Sequence, residues 1–139
     1  MLKASPRSTV LVFVTDQPEC GRLIEAGARL ANRYAVPLQV LSILPTGPMS
    51  EYTAARLQVL YDLSGKLGAD MTVLFADSPV LTAAVYARKH HAIHIVSGSP
   101  GRGGGVFIEG VRSLCPSVPW SVLDESQKLI TFPPITVPT

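Results

Sequence analysis

Short runs of apolar residues alternate with segments of helical spacing along most of the chain, and this alternation is typical of one class of fold. The first run, residues 9–15, consists almost entirely of β-branched and aromatic residues. Because nearly every position is apolar, both faces of this strand should be covered, as in the centre of a parallel sheet. Similar runs predict further strands at residues 38–44, 71–76, 93–97 and 120–123.

The segments between these runs carry helix signals. Asp16 and Pro18 form an acid-then-proline start for the first helix, and Ser50 is a predicted N-cap for a helix over residues 51–67. Third and fourth helices are predicted between the later strands. Every crossover is long enough for a right-handed βαβ unit, so we predict an α/β fold: an open parallel sheet with helices on both faces.

The length of 139 residues suits one domain. We predict an N-terminal extension over residues 1–8, the α/β domain over residues 9–123, and a proline-rich C-terminal arm over residues 124–139. The arm contains the apolar segment 129–132, which cannot bury itself. We expect it to dock on its own sheet edge or on a partner subunit, and a disordered end is the alternative.

Composition and charge narrow the function classes. The chain is 47% hydrophobic with a net charge of +2, and its basic residues are scattered, which gives no electrostatic reason to propose nucleic acid. No apolar run is long enough to span a membrane, and residues 1–8 lack the apolar core of a signal peptide. We therefore expect no membrane partner and a cytoplasmic location.

The stretch after the fourth predicted strand is a candidate anion site. Five glycines fall within residues 98–105, between a strand and a helix. Such a loop can turn its amides toward an anion at the positive end of a helix. Ligands of open α/β sheets bind where the strand order reverses, so the loop that contains Thr15 and Asp16 should meet the glycine loop there. Together these loops could hold the ribose and the phosphates of a nucleotide, with Arg102 as the charged phosphate partner.

Several other chemistries lack support in the sequence. No phosphate-binding G-x-x-x-x-G-K-[ST] motif, no nucleophile elbow and no Ser-His-Asp or Cys-His set is visible. A helix end is predicted to fall between His90 and His94, which breaks the i,i+4 geometry of a metal pair, so we expect no metal site. The sequence makes no positive case for an enzyme, and we expect slow ATP hydrolysis at most.

The order of elements and several motifs together resemble the universal stress protein family. The resemblance runs from Thr9 to Leu123 and includes the first strand with its acidic end and proline. It also includes residues 76–79, residues 92–104 around the glycine loop, and the closing segment 115–123. It implies a Rossmann-like, doubly wound sheet of five strands in the order 3-2-1-4-5, and a homodimer formed through the last strand. We expect the C-terminal arm to add to that contact if it docks on a partner subunit.

In the nucleotide-binding branch, the resemblance implies ATP or another adenine nucleotide between the first and fourth strands, with Mg²⁺ as an optional companion. Asp16 would contact the ribose and Ile43 would lie near the adenine. The implied remainder of the site is Thr15, Gly98, Ser99, Gly101, Arg102, Gly103, Gly104, Gly110 and Val111.

One departure from the family pattern concerns the end of the glycine motif. The nucleotide-binding branch has nine residues between Gly-x-x-Gly and a Gly followed by Ser or Thr. Here only eight residues separate Gly101 from Gly110, and Val111 stands where the hydroxyl residue should be. Three functions remain open: a regulatory module that binds an adenine nucleotide, a dimeric interaction module that binds none, and a weak ATPase or nucleotidyl transferase.

Overall fold

The computed structural model describes residues 7–100 and 105–136, which form a six-stranded sheet with helices on both faces. The strands are β1 (Thr9–Phe13), β2 (Leu38–Leu44), β3 (Asp70–Phe75), β4 (Ala92–Gly98), β5 (Trp120–Leu123) and β6 (Leu129–Phe132). The helices are α1 (Cys20–Tyr34), α2 (Glu51–Lys66), α3 (Pro79–Lys89) and α4 (Gly105–Leu114). The predicted class, an open doubly wound α/β fold, is confirmed.

The strand order is β3-β2-β1-β4-β5-β6, so the predicted count of five strands is wrong by one. The first five strands are mutually parallel in the predicted order, and β6 pairs antiparallel with β5, with Trp120 opposite Phe132 and Leu123 opposite Leu129. The additional strand is the apolar segment of the C-terminal arm. It docks on its own sheet edge because an exposed β5 edge offers unpaired backbone groups to an adjacent extended segment.

The core lies in two layers, one on each side of the sheet. Every residue of β1 is buried, and its side chains alternate between the layers. Val10 and Val12 pack in the layer with α1 and α2, and Leu11 and Phe13 pack in the layer with α3 and α4. This alternation confirms that β1 is a central strand covered on both faces.

The two predicted capping residues behave differently. The Ser50 side chain accepts a hydrogen bond from the Thr53 amide at 3.1 Å, so it caps α2 as predicted. The first helix begins only at Cys20, and Glu19 occupies its N-cap position without a side-chain bond. The prediction that Asp16 starts α1 is therefore wrong, because residues 17–19 form an intervening turn in which the Gln17 carbonyl accepts from the Cys20 amide.

A chain of polar side chains runs along one face of the sheet, from Thr131 on β6 through Ser121 and the buried His94 to Tyr34 on α1. Nδ1 of His94 lies 3.1 Å from the hydroxyl of Tyr34, and its Nε2 lies 2.7 Å from the hydroxyl of Ser121. Ser121 in turn lies 2.7 Å from the hydroxyl of Thr131 on β6. Burial lowers the pKa of His94. Because both ring nitrogens have hydrogen-bond partners, we assign this histidine a structural role.

None of the helices in the described part of the chain has the length and apolar character needed to span a membrane.

Helix α1 packs closely against the sheet at Gly27. A Cβ atom at this position would lie 2.3 Å from Cγ2 of Val12, which is fully buried. Gly27→Ala should therefore lower the free energy of unfolding by about 1–3 kcal/mol through overpacking. The matched control is Gly65→Ala in α2, where the added Cβ meets nothing within 4 Å. Removing this exposed helical glycine should raise stability by about 0.5–1 kcal/mol.

Urea unfolding of both variants measures the difference. Equal effects of the two substitutions would contradict the packing of α1 on β1.

Candidate functional site

A cavity of about 720 Å³ opens at the carboxyl ends of the central strands. Residues from the ends of β1, β2, β4 and β5 line it, together with the first turns of α1, α3 and α4. Its volume falls in the range of small-molecule and cofactor sites, which is about 300–1,000 Å³. The position is the one that the topology favours, because the strand order reverses at β1 and the crossovers to either side leave a crevice above it.

One side of the cavity is apolar and aromatic. It is formed by Phe13, Leu41, Ile43, Pro79, Phe107 and Ile108. The ring of Phe13 lies edge-on to that of Phe107, with centroids 5.3 Å apart, and stacks on Trp120 at 5.7 Å. A rigid aromatic floor of this kind suits a flat, largely apolar group such as a nucleobase.

The other side is polar. Gly98 and Ser99, at the end of β4, line the cavity next to Ser97. The Ser97 hydroxyl accepts a hydrogen bond from Nε1 of Trp120 at 2.9 Å and donates one to the Gly98 carbonyl at 3.2 Å. These contacts hold the end of β4 against the neighbouring strand β5.

Thr15 lines the cavity, and its surroundings explain the shape of the loop after β1. Its amide donates a hydrogen bond to Sγ of Cys20 at 3.3 Å, and its hydroxyl accepts one from the Gln17 amide at 3.4 Å. Cys20 is buried and unpaired with the second cysteine. The loop therefore closes back on the first residue of α1.

Asp16 is not among the residues that line the cavity. Its carboxylate accepts a hydrogen bond from the Thr53 hydroxyl at 2.8 Å, in the first turn of α2. A carboxylate is favourable there because it faces the positive end of the helix. The structure thus directs this candidate ribose contact toward α2.

Gly110 and Val111 lie in the interface of α4 with the rest of the protein. A Cβ on Gly110 would come within 2.8 Å of Cγ1 of Val80, so the glycine allows α4 to approach α3 closely. Val111 is fully buried in the core layer of α3 and α4. Their structural environment is therefore a helix contact and a core, and they do not line the cavity.

The remaining predicted site residues, Gly101, Arg102, Gly103 and Gly104, lie outside the described residues. Of the predicted set within the described part, the structure brings Thr15, Ile43, Gly98 and Ser99 together around one cavity.

Sequence reasoning missed most of the lining residues, and three groups of them show why. Phe13 falls within the first predicted strand and Phe107 within the segment of the fourth predicted helix, so neither was considered for the site, although Phe107 closely follows the glycine loop. No sequence motif marks Ser97 as a cavity residue, because its position depends on a hydrogen bond from Trp120 of the neighbouring strand. The turn between β5 and β6 also lines the cavity, and its position follows from a strand that was not predicted.

The burial of Val111 yields a test of the family pattern. Val111→Thr restores the hydroxyl residue of the nucleotide-binding branch, but it should place that hydroxyl in the core. We expect a loss of about 1–3 kcal/mol in the free energy of unfolding, and no gain in affinity for AMP. The control is Val106→Thr in the same helix, where the side chain is 73% exposed and the change should stay within about 0.5 kcal/mol. Tighter AMP binding by Val111→Thr would show that residue 111 reaches the ligand.

Comparisons with known proteins agree with the architecture. No protein-family model matches the chain. Among curated proteins, the Sensor protein KdpD of Mycobacterium tuberculosis is 27% identical over 107 residues, which cover 76% of this chain. That match spans only 12% of the length of the sensor protein.

Solved structures of universal stress proteins superpose on most of the chain. A universal stress protein from Archaeoglobus fulgidus has a TM-score of 0.60 at 22% identity, covering 76% of this chain and 86% of its own. The Archaeoglobus fulgidus protein in complex with dAMP has a TM-score of 0.56 at 21% identity, covering 79% and 90%. A universal stress family protein from Arabidopsis thaliana with AMP bound has a TM-score of 0.53 at 14% identity, covering 84% and 90%. The resemblance predicted from the sequence is confirmed: this chain has the fold of the universal stress proteins.

Proposed function

We propose that the chain is a small cytoplasmic regulatory module of the universal stress type that binds an adenine nucleotide, such as ATP or AMP. The observation that carries the proposal is the cavity at the carboxyl ends of β1 and β4, which combines an aromatic floor with Gly98 and Ser99. Two of the structurally similar proteins contain adenine nucleotides, which supports the same ligand class here.

The two sides of the cavity suggest how a nucleotide would lie. The adenine would occupy the apolar side, against Ile43 and Phe107, because a base gains most from burial of its flat faces. The phosphate end would face Gly98 and Ser99, where β4 leads into the glycine loop. Ribose recognition would fall to polar residues at the rim, including Thr15, since Asp16 bonds to Thr53. A Mg²⁺ ion would enter as a companion of the phosphates.

The proposed role is binding with little or no turnover. The sequence contains no nucleophile with a visible general base. The module would therefore return to its nucleotide-free state by releasing the nucleotide and not by hydrolysing it. Incubation of the protein with ATP and Mg²⁺ tests this directly. Intact ATP after hours is the expected result, and stoichiometric ADP or pyrophosphate would favour the enzyme alternative.

A second candidate is a dimeric interaction module that binds no nucleotide. Two observations favour it: Asp16 faces α2, and Val111 lies in the core, so two contacts implied by the family resemblance are directed elsewhere. Binding of nucleotide separates the two candidates, and self-association is common to both.

The sequence pointed to a dimer through the last predicted strand, residues 120–123, but β6 occupies the outer edge of that strand, so the proposed dimer forms through β6. Within the described residues, β6 pairs with β5 along one edge and with no strand along its other edge. All four of its residues are exposed. Leu129, Ile130 and Phe132 give it an apolar surface, and an exposed apolar edge strand favours pairing with another chain.

Ile130→Lys tests this interface, because a lysine on an edge strand opposes strand pairing. The wild-type protein should have the mass of a dimer in sedimentation or light scattering, and the variant should shift toward the monomer. Val59→Lys on the exposed face of α2 is the control and should leave the mass unchanged. A monomeric wild-type protein would contradict the proposed dimer.

Ile43→Ala tests nucleotide binding at the cavity. Loss of the contact with the base should weaken AMP affinity by about tenfold in calorimetric titration. Leu74→Ala is the matched control: Leu74 pairs with Ile43 on the neighbouring strand and packs against the same core layer, but it does not line the cavity. The control should bind AMP with nearly wild-type affinity.

The wild-type protein should also gain stability from the ligand. A nucleotide at about 100 times its Kd should raise the free energy of unfolding by roughly 2.7 kcal/mol. No shift in melting temperature with millimolar adenine nucleotides would contradict the proposed function.

A further inference from the structure

The turn that joins β5 to β6 forms one wall of the cavity. Asp124, Glu125 and Gln127 of this turn line it. Two hydrogen bonds, each 2.9 Å long, join Asp124 to Lys128. The Asp124 amide donates to the Lys128 carbonyl, and the Lys128 amide donates to the Asp124 carboxylate. The Gln127 amide also donates to the Asp124 carbonyl at 3.1 Å. The wall is therefore a closed turn with a defined backbone.

With this wall, acidic residues outnumber basic residues among the charged residues that line the cavity in the described part of the chain. The lining includes three acidic residues, Glu19, Asp124 and Glu125, and one basic residue, Arg22. Lys128 belongs to the same turn but is not among the lining residues.

We propose that this acidic wall selects the ligand by charge, favouring a nucleoside monophosphate over a free nucleoside triphosphate, with Asp124 and Glu125 as specificity-determining residues. The inference rests on the proposed function, since it concerns the same cavity. A terminal phosphate carries about two negative charges near neutral pH, and a triphosphate carries about two more. Each added charge interacts unfavourably with the carboxylates of the wall, whereas the base and ribose contacts are common to both ligands.

The experiment compares AMP and ATP by calorimetric titration in EDTA, so that no divalent cation neutralises the triphosphate. The wild-type protein is measured beside the double variant Asp124→Asn/Glu125→Gln. An asparagine at position 124 retains a side-chain oxygen for the Lys128 amide, so the turn should persist. The control is Glu25→Gln/Glu109→Gln, which removes two exposed carboxylates of α1 and α4 that do not line the cavity.

Wild-type protein should bind AMP more tightly than ATP. The double variant should gain about fivefold in affinity for ATP and about twofold for AMP, and the control should change both by less than about twofold. Added salt should narrow the wild-type preference for AMP, because the Debye length falls from about 30 Å at 0.01 M to about 3 Å at 1 M.

Three results would overturn the inference while leaving nucleotide binding in place. These are wild-type affinity for ATP equal to or above that for AMP, an unchanged ratio of affinities in the double variant, and an equal change in the control. Absence of binding by both nucleotides would contradict the proposed function itself, and the inference with it.

Discussion

Complete burial of β1 is the constraint on which the rest of the structure depends. A strand with apolar side chains on both faces is stable only when helices cover both sides of the sheet, and β1 has α1 and α2 on one side and α3 and α4 on the other. With β2 and β4 as its neighbours, the chain must wind outward in both directions from β1. The crevice above the carboxyl end of β1 is the geometric consequence, and the cavity lies there.

The fold could be predicted from the sequence because its signals are local. The alternation of apolar runs with helical segments identifies each parallel strand, and Ser50 identifies the start of α2. For residues 129–132 the sequence predicted docking on either the chain's own sheet edge or a partner subunit, because they are a short apolar run in a proline-rich arm. The structure shows the first of these, as strand β6. Their pairing depends on the free edge of β5, which is a property of the assembled sheet.

The candidate site could be predicted less completely, for reasons of orientation. Sequence places Asp16 after β1, but the direction of its carboxylate depends on Thr53, 37 residues later in the chain. Likewise, Gly110 and Val111 follow the glycine loop, but helix phase turns them toward Val80 and the core. Ile43, Gly98 and Ser99 line the cavity because they lie at or next to strand ends, where the topology of the sheet decides their position, and their contact with a nucleotide stays a prediction.

The β5–β6 turn connects the two surfaces to which we assign function. It lines the cavity through Asp124 and Glu125, and it leads directly into the exposed edge strand. The central claim, that the cavity above β1 holds an adenine nucleotide, is tested most directly by a crystal structure of the protein grown with AMP. The account predicts the base against Ile43 and Phe107 and the phosphate beside Gly98 and Ser99. A nucleotide bound elsewhere, with this cavity holding only solvent, would contradict it.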